Sequence, residues 1–202
     1  MEYNGGTIVA MVGEGCVGIA GDRRFGVNQL QTVSCNFEKI FQMTSGCLVG
    51  FQGLATDVQT LSAQLKAKLK LFELREEREM PTQTISHLVA STLYEKRFGP
   101  YFCEPVVAGL QQDGTPFISG FDLIGTESTA PDFTASGTGA EQVYGVCESF
   151  WRPGMSPAEL FETLAQCLMA GVDRDCYSGW GGVVYVLSKT GVEVKYLKTR
   201  MD

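Results

Sequence analysis

The sequence has little of what several classes of functional site require. It contains a single histidine, His87, and its seven cysteines include no Cys-x-x-Cys pair, so no cluster has the ligand spacing of a zinc site. Its 16 lysine and arginine residues are outnumbered by 23 aspartate and glutamate residues, and the formal net charge is -7. A nucleic-acid-binding protein needs a clustered basic face to neutralise phosphates, and this sequence has none.

Long hydrophobic segments are also missing. No run of about 18 apolar residues appears that could cross a membrane. The first residues, 1–4, contain neither the basic region nor the apolar region of a secretory signal. We therefore expect a soluble intracellular protein without a membrane partner, whose cysteines are reduced and mostly buried.

What the sequence does contain predicts one compact domain over residues 1–202. A chain of 202 residues with 44% hydrophobic content can bury a substantial core, and no repeat or linker divides it. Short apolar runs separated by turn residues predict strands, and three- and four-residue apolar spacing predicts helices. The predicted strands cover 7–12, 17–21, 40–43, 47–51, 106–110, 117–124, 133–136, 182–187 and 192–197, and the predicted helices cover 54–72, 82–98, 140–148 and 156–174.

The order of these elements predicts the fold class. Strands, two long helices, strands, helices and strands follow one another, which is not the strict alternation of a doubly wound parallel sheet. This order favours an α+β protein with two mainly antiparallel sheets and helices packed outside them.

Several short motifs, taken in order, resemble the beta subunits of the proteasome core particle. They lie at residues 6–10 with 16–24, 38–40, 53–57, 135–138 and 174–179. The resemblance spans nearly the whole chain. It implies the N-terminal-nucleophile hydrolase fold, a four-layer αββα sandwich of two mainly antiparallel sheets between helix layers.

The same resemblance implies which residues correspond to the catalytic site of active members. In those subunits an N-terminal threonine attacks the peptide carbonyl, its own amino group acts as base, and a lysine lies nearby. Alignment on Asp22 and Ala10 places Gly6 where that threonine belongs, so we predict a non-catalytic subunit. The predicted remnants of the site are Gly6, Asp22, Lys39, Ser136, Asp175 and Ser178.

An active threonine protease remains the alternative. Cleavage after Gly6 would expose Thr7, and a glycine–threonine bond is the one that active members cut in themselves. Successive side chains of a strand point to opposite faces, so we expect Thr7 to face away from Lys39. Lys39 also lies one residue farther from Asp22 than in active members, which predicts a small insertion between residues 24 and 37.

Further expectations concern partners and ligands. The resemblance implies a structural role in a seven-membered beta ring, next to an alpha ring and an opposite beta ring, in ATP- and ubiquitin-dependent protein degradation in cytoplasm and nucleus. Asp122 matches the wall of a neighbouring trypsin-like pocket, where its charge would favour basic side chains. No cofactor is required.

A structural Mg²⁺ or another hard cation could bind near the end of the last long helix. Relatives bind such ions through backbone oxygens of this turn, which corresponds here to Val172, Asp175 and Ser178, and Asp202 could reach a partner's site. The simpler interpretation is that Asp175 and Ser178 only terminate and cap that helix.

Overall fold

The computed structural model describes residues 3–202, which form twelve strands and four helices in the following order. The first half contains β1 Thr7–Gly13, β2 Cys16–Asp22, β3 Phe25–Val27, β4 Gln31–Ser34, β5 Ile40–Thr44, β6 Cys47–Gly53, α1 Ala55–Glu76 and α2 Thr82–Tyr94. The second half contains β7 Cys103–Leu110, β8 Pro116–Phe121, β9 Glu127–Ala130, β10 Phe133–Gly137, α3 Ala140–Phe150, α4 Pro157–Val172, β11 Gly182–Ser188 and β12 Gly191–Leu197.

The strands build two antiparallel five-stranded sheets and one small hairpin. The first sheet has the order β10-β1-β2-β11-β12, the second has the order β5-β6-β7-β8-β9, and β3 pairs with β4 alone. Helices α3 and α4 pack on the first sheet, and α1 and α2 pack on the second. The predicted α+β class and the αββα sandwich are confirmed.

Strand β1 has apolar residues on both of its faces because both faces are covered. Val9 and Met11 belong to the core between the first sheet and its helices. Ile8 and Ala10 belong to the core between the two sheets. The period of two along a strand therefore decides which layer each side chain enters.

The predicted element boundaries differ from the observed ones where the apolar pattern is weak. Helix α1 runs to Glu76, and α2 stops at Tyr94 instead of residue 98. Strand β9 and the β3–β4 hairpin were not predicted, since both are short and β9 is polar. The hairpin lies in the region where an insertion was expected before Lys39.

The start of α4 agrees with the predicted helix over 156–174, because Ser156 is its N-cap residue. The Ser156 hydroxyl accepts from the backbone N–H of Glu159, and the Glu159 carboxylate accepts from the backbone N–H of Ser156. This capping box satisfies two N–H groups that the helix itself leaves unpaired.

Five of the cysteines are buried and Cys35 and Cys176 are exposed, with no disulfide in the described part of the chain. No helix within residues 3–202 is long and apolar enough to cross a membrane.

Candidate functional site

The start of β1 separates two neighbouring residues onto opposite sides of the first sheet. Gly6 lies on the side of Ile8, toward the space between the sheets, and a Cβ built on Gly6 would come within 3.0 Å of the Lys39 Nζ. The Thr7 hydroxyl lies on the other side, 2.7 Å from the Ser178 Oγ. The residue that faces Lys39 is therefore Gly6, and the expected orientation of Thr7 is observed.

Asp22 and Lys39 form a buried ion pair. The Lys39 Nζ lies 2.8 Å from the Asp22 Oδ1, and the two side chains are 5% and 0% exposed. The same oxygen accepts from the backbone N–H of Thr7 at 2.9 Å. The Asp22 Oδ2 accepts from the backbone N–H groups of Arg24 and Gly179. A buried carboxylate with this many donors is satisfied as an anion and joins four separate segments.

Gln52 fills the space next to Gly6. Its side-chain amide lies so that a Cβ on Gly6 would be 2.7 Å from both Nε2 and Oε1. The Nε2 group donates to the carbonyl oxygen of Gly5. Gln52 was not singled out in the sequence; the available signal was an isolated polar residue in the otherwise apolar strand β6. We call Gly6, Lys39 and Gln52, with Asp22, the Gly6 pocket.

A network of hydroxyl groups and one carboxylate lies on the other side of β1. The Ser178 hydroxyl, next to Thr7, donates to the Asp175 Oδ2. The Thr138 hydroxyl donates to the same oxygen at 2.6 Å. The backbone N–H of Gly6 donates to the Thr138 Oγ1 at 3.1 Å. We call Thr7, Thr138, Asp175 and Ser178 the Thr7 hydroxyl network.

The structure does not bring Ser136 to either group. Its hydroxyl donates to the backbone carbonyl of Glu104 at 3.0 Å, and it pairs with Ile8 one step farther along β1. Thr138, two residues later, lies beside Gly6 because its backbone N–H donates to the Gly6 carbonyl at 2.9 Å. Both residues belong to one short motif, and only the strand register decides between them.

The residues that precede β1 are held in place by Asn4. Its Nδ2 donates to the Gly26 carbonyl, and its Oδ1 accepts from the backbone N–H of Ala55, each at 2.8 Å. Ala55 is the first residue of α1, whose own N-cap residue, Leu54, provides no side-chain hydrogen bond. Asn4 therefore caps α1 from a distant part of the chain.

The four residues predicted for a hard cation line one open cavity of about 420 Å³. The side chains of Asp175, Ser178 and Asp202 already have partners. The Asp175 carboxylate accepts from Ser178 and from the backbone N–H of Tyr177, and Asp202 pairs with Arg200 at 2.8 Å. No group of three or more His, Cys, Asp or Glu side chains within residues 3–202 could hold a metal. The predicted cation would therefore depend on backbone oxygens of this turn.

Asp122 lies in the turn between β8 and β9. Its Oδ1 accepts from the backbone N–H groups of Ile124 at 3.0 Å and Thr126 at 2.7 Å. Partial desolvation opposes ionisation, but the hydrogen bonds from Thr126, Ile124 and Gly125 outweigh it and lower the pKa of Asp122. The carboxylate is therefore ionised near neutral pH, as a contact with basic side chains would require.

Comparison with known proteins gives one family and many similar relatives. The model of the family described as "Proteasome subunit" matches residues 2–187. A protein named "Proteasome subunit beta type-3" from Picea mariana is 55% identical over 201 residues, covering 100% of this chain and 98% of the relative. "Proteasome subunit beta type-3-A" from Arabidopsis thaliana is 52% identical and "Proteasome subunit beta type-3" from Saccharomyces cerevisiae 50%, with the same coverage.

Proposed function

The chain belongs to the proteasome subunit family, as a beta subunit of the core particle, and from this we propose that it is a structural subunit without peptidase activity. Its role would be to occupy one place in a seven-membered beta ring and to form part of the wall of the proteolytic chamber. The adjacent alpha ring and the opposite beta ring would be its other partners.

The orientation of the first residues of β1 carries the proposal. The side of the strand that faces Lys39 presents Gly6, which has no hydroxyl group to attack a carbonyl. Thr7 is 0% exposed, and its hydroxyl lies 2.7 Å from Ser178 on the opposite side. A substrate carbonyl could reach this hydroxyl only if the strand moved by one residue, about 3.3 Å, which would invert both apolar faces of β1.

The surface of the chain supports an assembled state. Phe98 is 98% exposed and Leu30 is 92% exposed, and Leu74 and Tyr94 are also largely exposed. Exposed large apolar side chains are typical of surfaces that become buried against other subunits. Within this proposal the particle acts in ATP- and ubiquitin-dependent protein degradation, in the cytoplasm and nucleus.

The mass of the chain in purified core particles tests the absence of activity. We expect a chain that still carries Gly6 and the residues before it, because no nucleophile is available to remove them. A chain that begins at Thr7 would contradict the proposal and would support the alternative, an active threonine protease.

We further propose that Asp122 lines the pocket of a neighbouring subunit that cleaves after basic residues. The pKa of Asp122 is lowered, so the group carries a negative charge that would attract lysine and arginine side chains. In particles with Asp122→Asn, we expect cleavage after arginine to fall several-fold in kcat/KM, about 1 kcal/mol of lost interaction.

The matched control for this test is Asp113→Asn, which removes a charge from the distant β7–β8 turn. The control should leave all cleavage rates unchanged. Equal rates after arginine in the Asp122→Asn and unmodified particles would contradict the role of Asp122.

A hard cation such as Mg²⁺ remains a secondary proposal. The backbone oxygens of Val172, Asp175 and Ser178 would hold it at the end of α4, and Asp202 would contribute its carboxylate to a partner's site. Oxygen ligands of this kind suit Mg²⁺ and Ca²⁺.

A further inference from the structure

The Gly6 pocket is filled by side chains of the chain itself. A cavity of about 10 Å³ lies beside it, lined by Asn4, Gly5, Lys39 and Gln52 among others, but not by Gly6. This is about the volume that one water molecule needs. A pocket that binds a substrate is larger by more than an order of magnitude. This neighbouring cavity is therefore too small for a substrate, and the Lys39 Nζ and the Gln52 amide leave no room for a side chain on residue 6.

Gln52 is the part of this filling whose hydrogen bonds are incomplete. The side chain is 2% exposed, and its Oε1 has no hydrogen-bond partner within residues 3–202. A buried oxygen without a donor lowers stability. Lys39, in contrast, is paired with Asp22 and would keep that partner in an open pocket. The Lys39 Nζ and the Gln52 amide both crowd position 6, and Gln52 is the one whose removal would open space there without leaving a charge unpaired.

We propose that Gln52 blocks this site independently of the missing hydroxyl group, so that a threonine at position 6 would not by itself restore the chemistry. This inference rests on the proposed function, because it assumes that Gly6 holds the position of the nucleophile. It adds a second obstacle, which lies on β6 and not on β1.

Self-cleavage is the step that would reveal the block. In a Gly6→Thr chain, the new hydroxyl oxygen would attack the Gly5 carbonyl carbon, and the carbon–nitrogen bond would break. The nitrogen would take up a proton to become the free amine of residue 6. Water would then hydrolyse the ester to a Gly5 carboxylate and regenerate the hydroxyl. The Gln52 amide lies 2.7 Å from where the Cβ of that threonine would stand.

Backbone strain at residue 6 favours self-cleavage, whereas Gln52 opposes it. The test can therefore separate a block by Gln52 from a lack of driving force. Gly6 has φ of +122°, a conformation that a threonine adopts only with strain. Cleavage relieves this strain, since an N-terminal residue has no φ angle. A Gly6→Thr chain that stays intact would therefore do so against a driving force for cleavage.

The experiment compares three chains in assembled core particles by intact mass. We expect Gly6→Thr to keep the residues before position 6, and Gly6→Thr/Gln52→Ala to lose them in at least half of the molecules. The control Gly6→Ala/Gln52→Ala has the emptied pocket without a hydroxyl and should stay intact. Cleavage of Gly6→Thr to the same extent as the double variant, or an intact double variant, would overturn the proposal.

Recovery in particles provides a second measurement if Gly6→Thr fails to assemble. The proposal then requires that Gln52→Ala raise the amount of Gly6→Thr chain in particles several-fold, and unchanged recovery would overturn it. The unmodified chain reports separately on the proposed function. If that chain begins at Thr7, the structural role itself fails, whatever the variants show.

Discussion

The two sides of β1 at its first residues differ in what holds them together. The Gly6 pocket contains a buried ion pair, between Asp22 and Lys39, and an amide that fills the remaining space. The Thr7 hydroxyl network contains neutral hydroxyl groups around the Asp175 carboxylate. The first side faces the second sheet, and the second side faces the turn after α4.

If the chain is non-catalytic, as proposed, this difference explains how its site could lose its chemistry and keep its polar residues. A buried ion pair cannot lose one member without leaving the other charge unpaired in a poorly solvated place. Asp22 also accepts three backbone N–H groups, so it is required by the fold whether or not catalysis occurs. The nucleophile has no such structural duty, and glycine can replace it.

The largest loss of stability is expected for a substitution in the Gly6 pocket, which contains the buried ion pair. Asp22→Asn keeps the shape of the side chain but removes the partner of Lys39 and places an amide N–H₂ among backbone donors. We expect the free energy of unfolding to fall by about 3–5 kcal/mol. Chemical denaturation of the purified chain measures this change.

The matched control is an ion pair of the same type on the surface. Glu193 and Lys195 lie 2.9 Å apart, and both are largely exposed. Glu193→Gln should change the free energy of unfolding by less than about 1 kcal/mol. Losses of equal size for Asp22→Asn and Glu193→Gln would show that the buried Asp22–Lys39 pair contributes no more to stability than an exposed pair.

The second prediction concerns the Thr7 hydroxyl network, where we expect a smaller loss of stability. Thr7→Val removes one hydroxyl group, while Ser178 keeps its bond to Asp175. We expect a loss of about 1 kcal/mol in the free energy of unfolding, since one neutral hydrogen bond is removed and no charge is left unpaired. Differential scanning calorimetry on both chains would detect it.

Thr60→Val is the control for this substitution, because Thr60 is an exposed helical residue that bonds only within α1. Its effect should stay within about 0.5 kcal/mol. A loss for Thr7→Val as large as that for Asp22→Asn would show that the two sides of β1 contribute equally to the free energy of unfolding.

The smallest expected effect is on the pH dependence of the unfolding free energy. It concerns Glu104, which lies next to Ser136. Burial, the main cause, raises the pKa of Glu104 above its ordinary value. The folded state therefore binds this proton more tightly than the unfolded state. The resulting stability is present below the unfolded pKa and is lost as the pH rises through the folded pKa.

Glu104→Gln should remove this contribution. We expect the difference in unfolding free energy between variant and unmodified chain to shift in favour of the variant from pH 4 to pH 7. Urea denaturation at several pH values measures this difference, in which the other carboxylates cancel. A difference that does not change with pH would show that Glu104 is as well solvated when folded as when unfolded.

The outline of the fold was predictable because it depends on local patterns. Short apolar runs between turn residues predicted most strands, and the helix predicted from residue 156 agrees with α4, whose N-cap is Ser156. The β3–β4 hairpin and β9 were missed, because short polar strands exist only through pairing with a neighbour.

The candidate site was predictable in part. The family resemblance, aligned on Asp22 and Ala10, indicated that Gly6 and not Thr7 faces Lys39, and the structure shows that orientation. Ser136 was expected in the group, but the pairing of β1 with β10 brings Thr138 there instead. Gln52 gave no motif signal at all, since its role depends on which residue lies opposite across the space between the sheets.

By itself the sequence determined the α+β class, because strand and helix patterns follow from local periodicity, and the family resemblance placed Gly6, which has no hydroxyl, at the position of the nucleophile. Tertiary structure alone decided that Gln52 enters the space beside Gly6 and that Asn4 caps α1. Gly6 is 46 positions from Gln52, and Asn4 is 51 positions from Ala55. Contacts across such distances depend on how two sheets and a helix pack together, which no local pattern specifies.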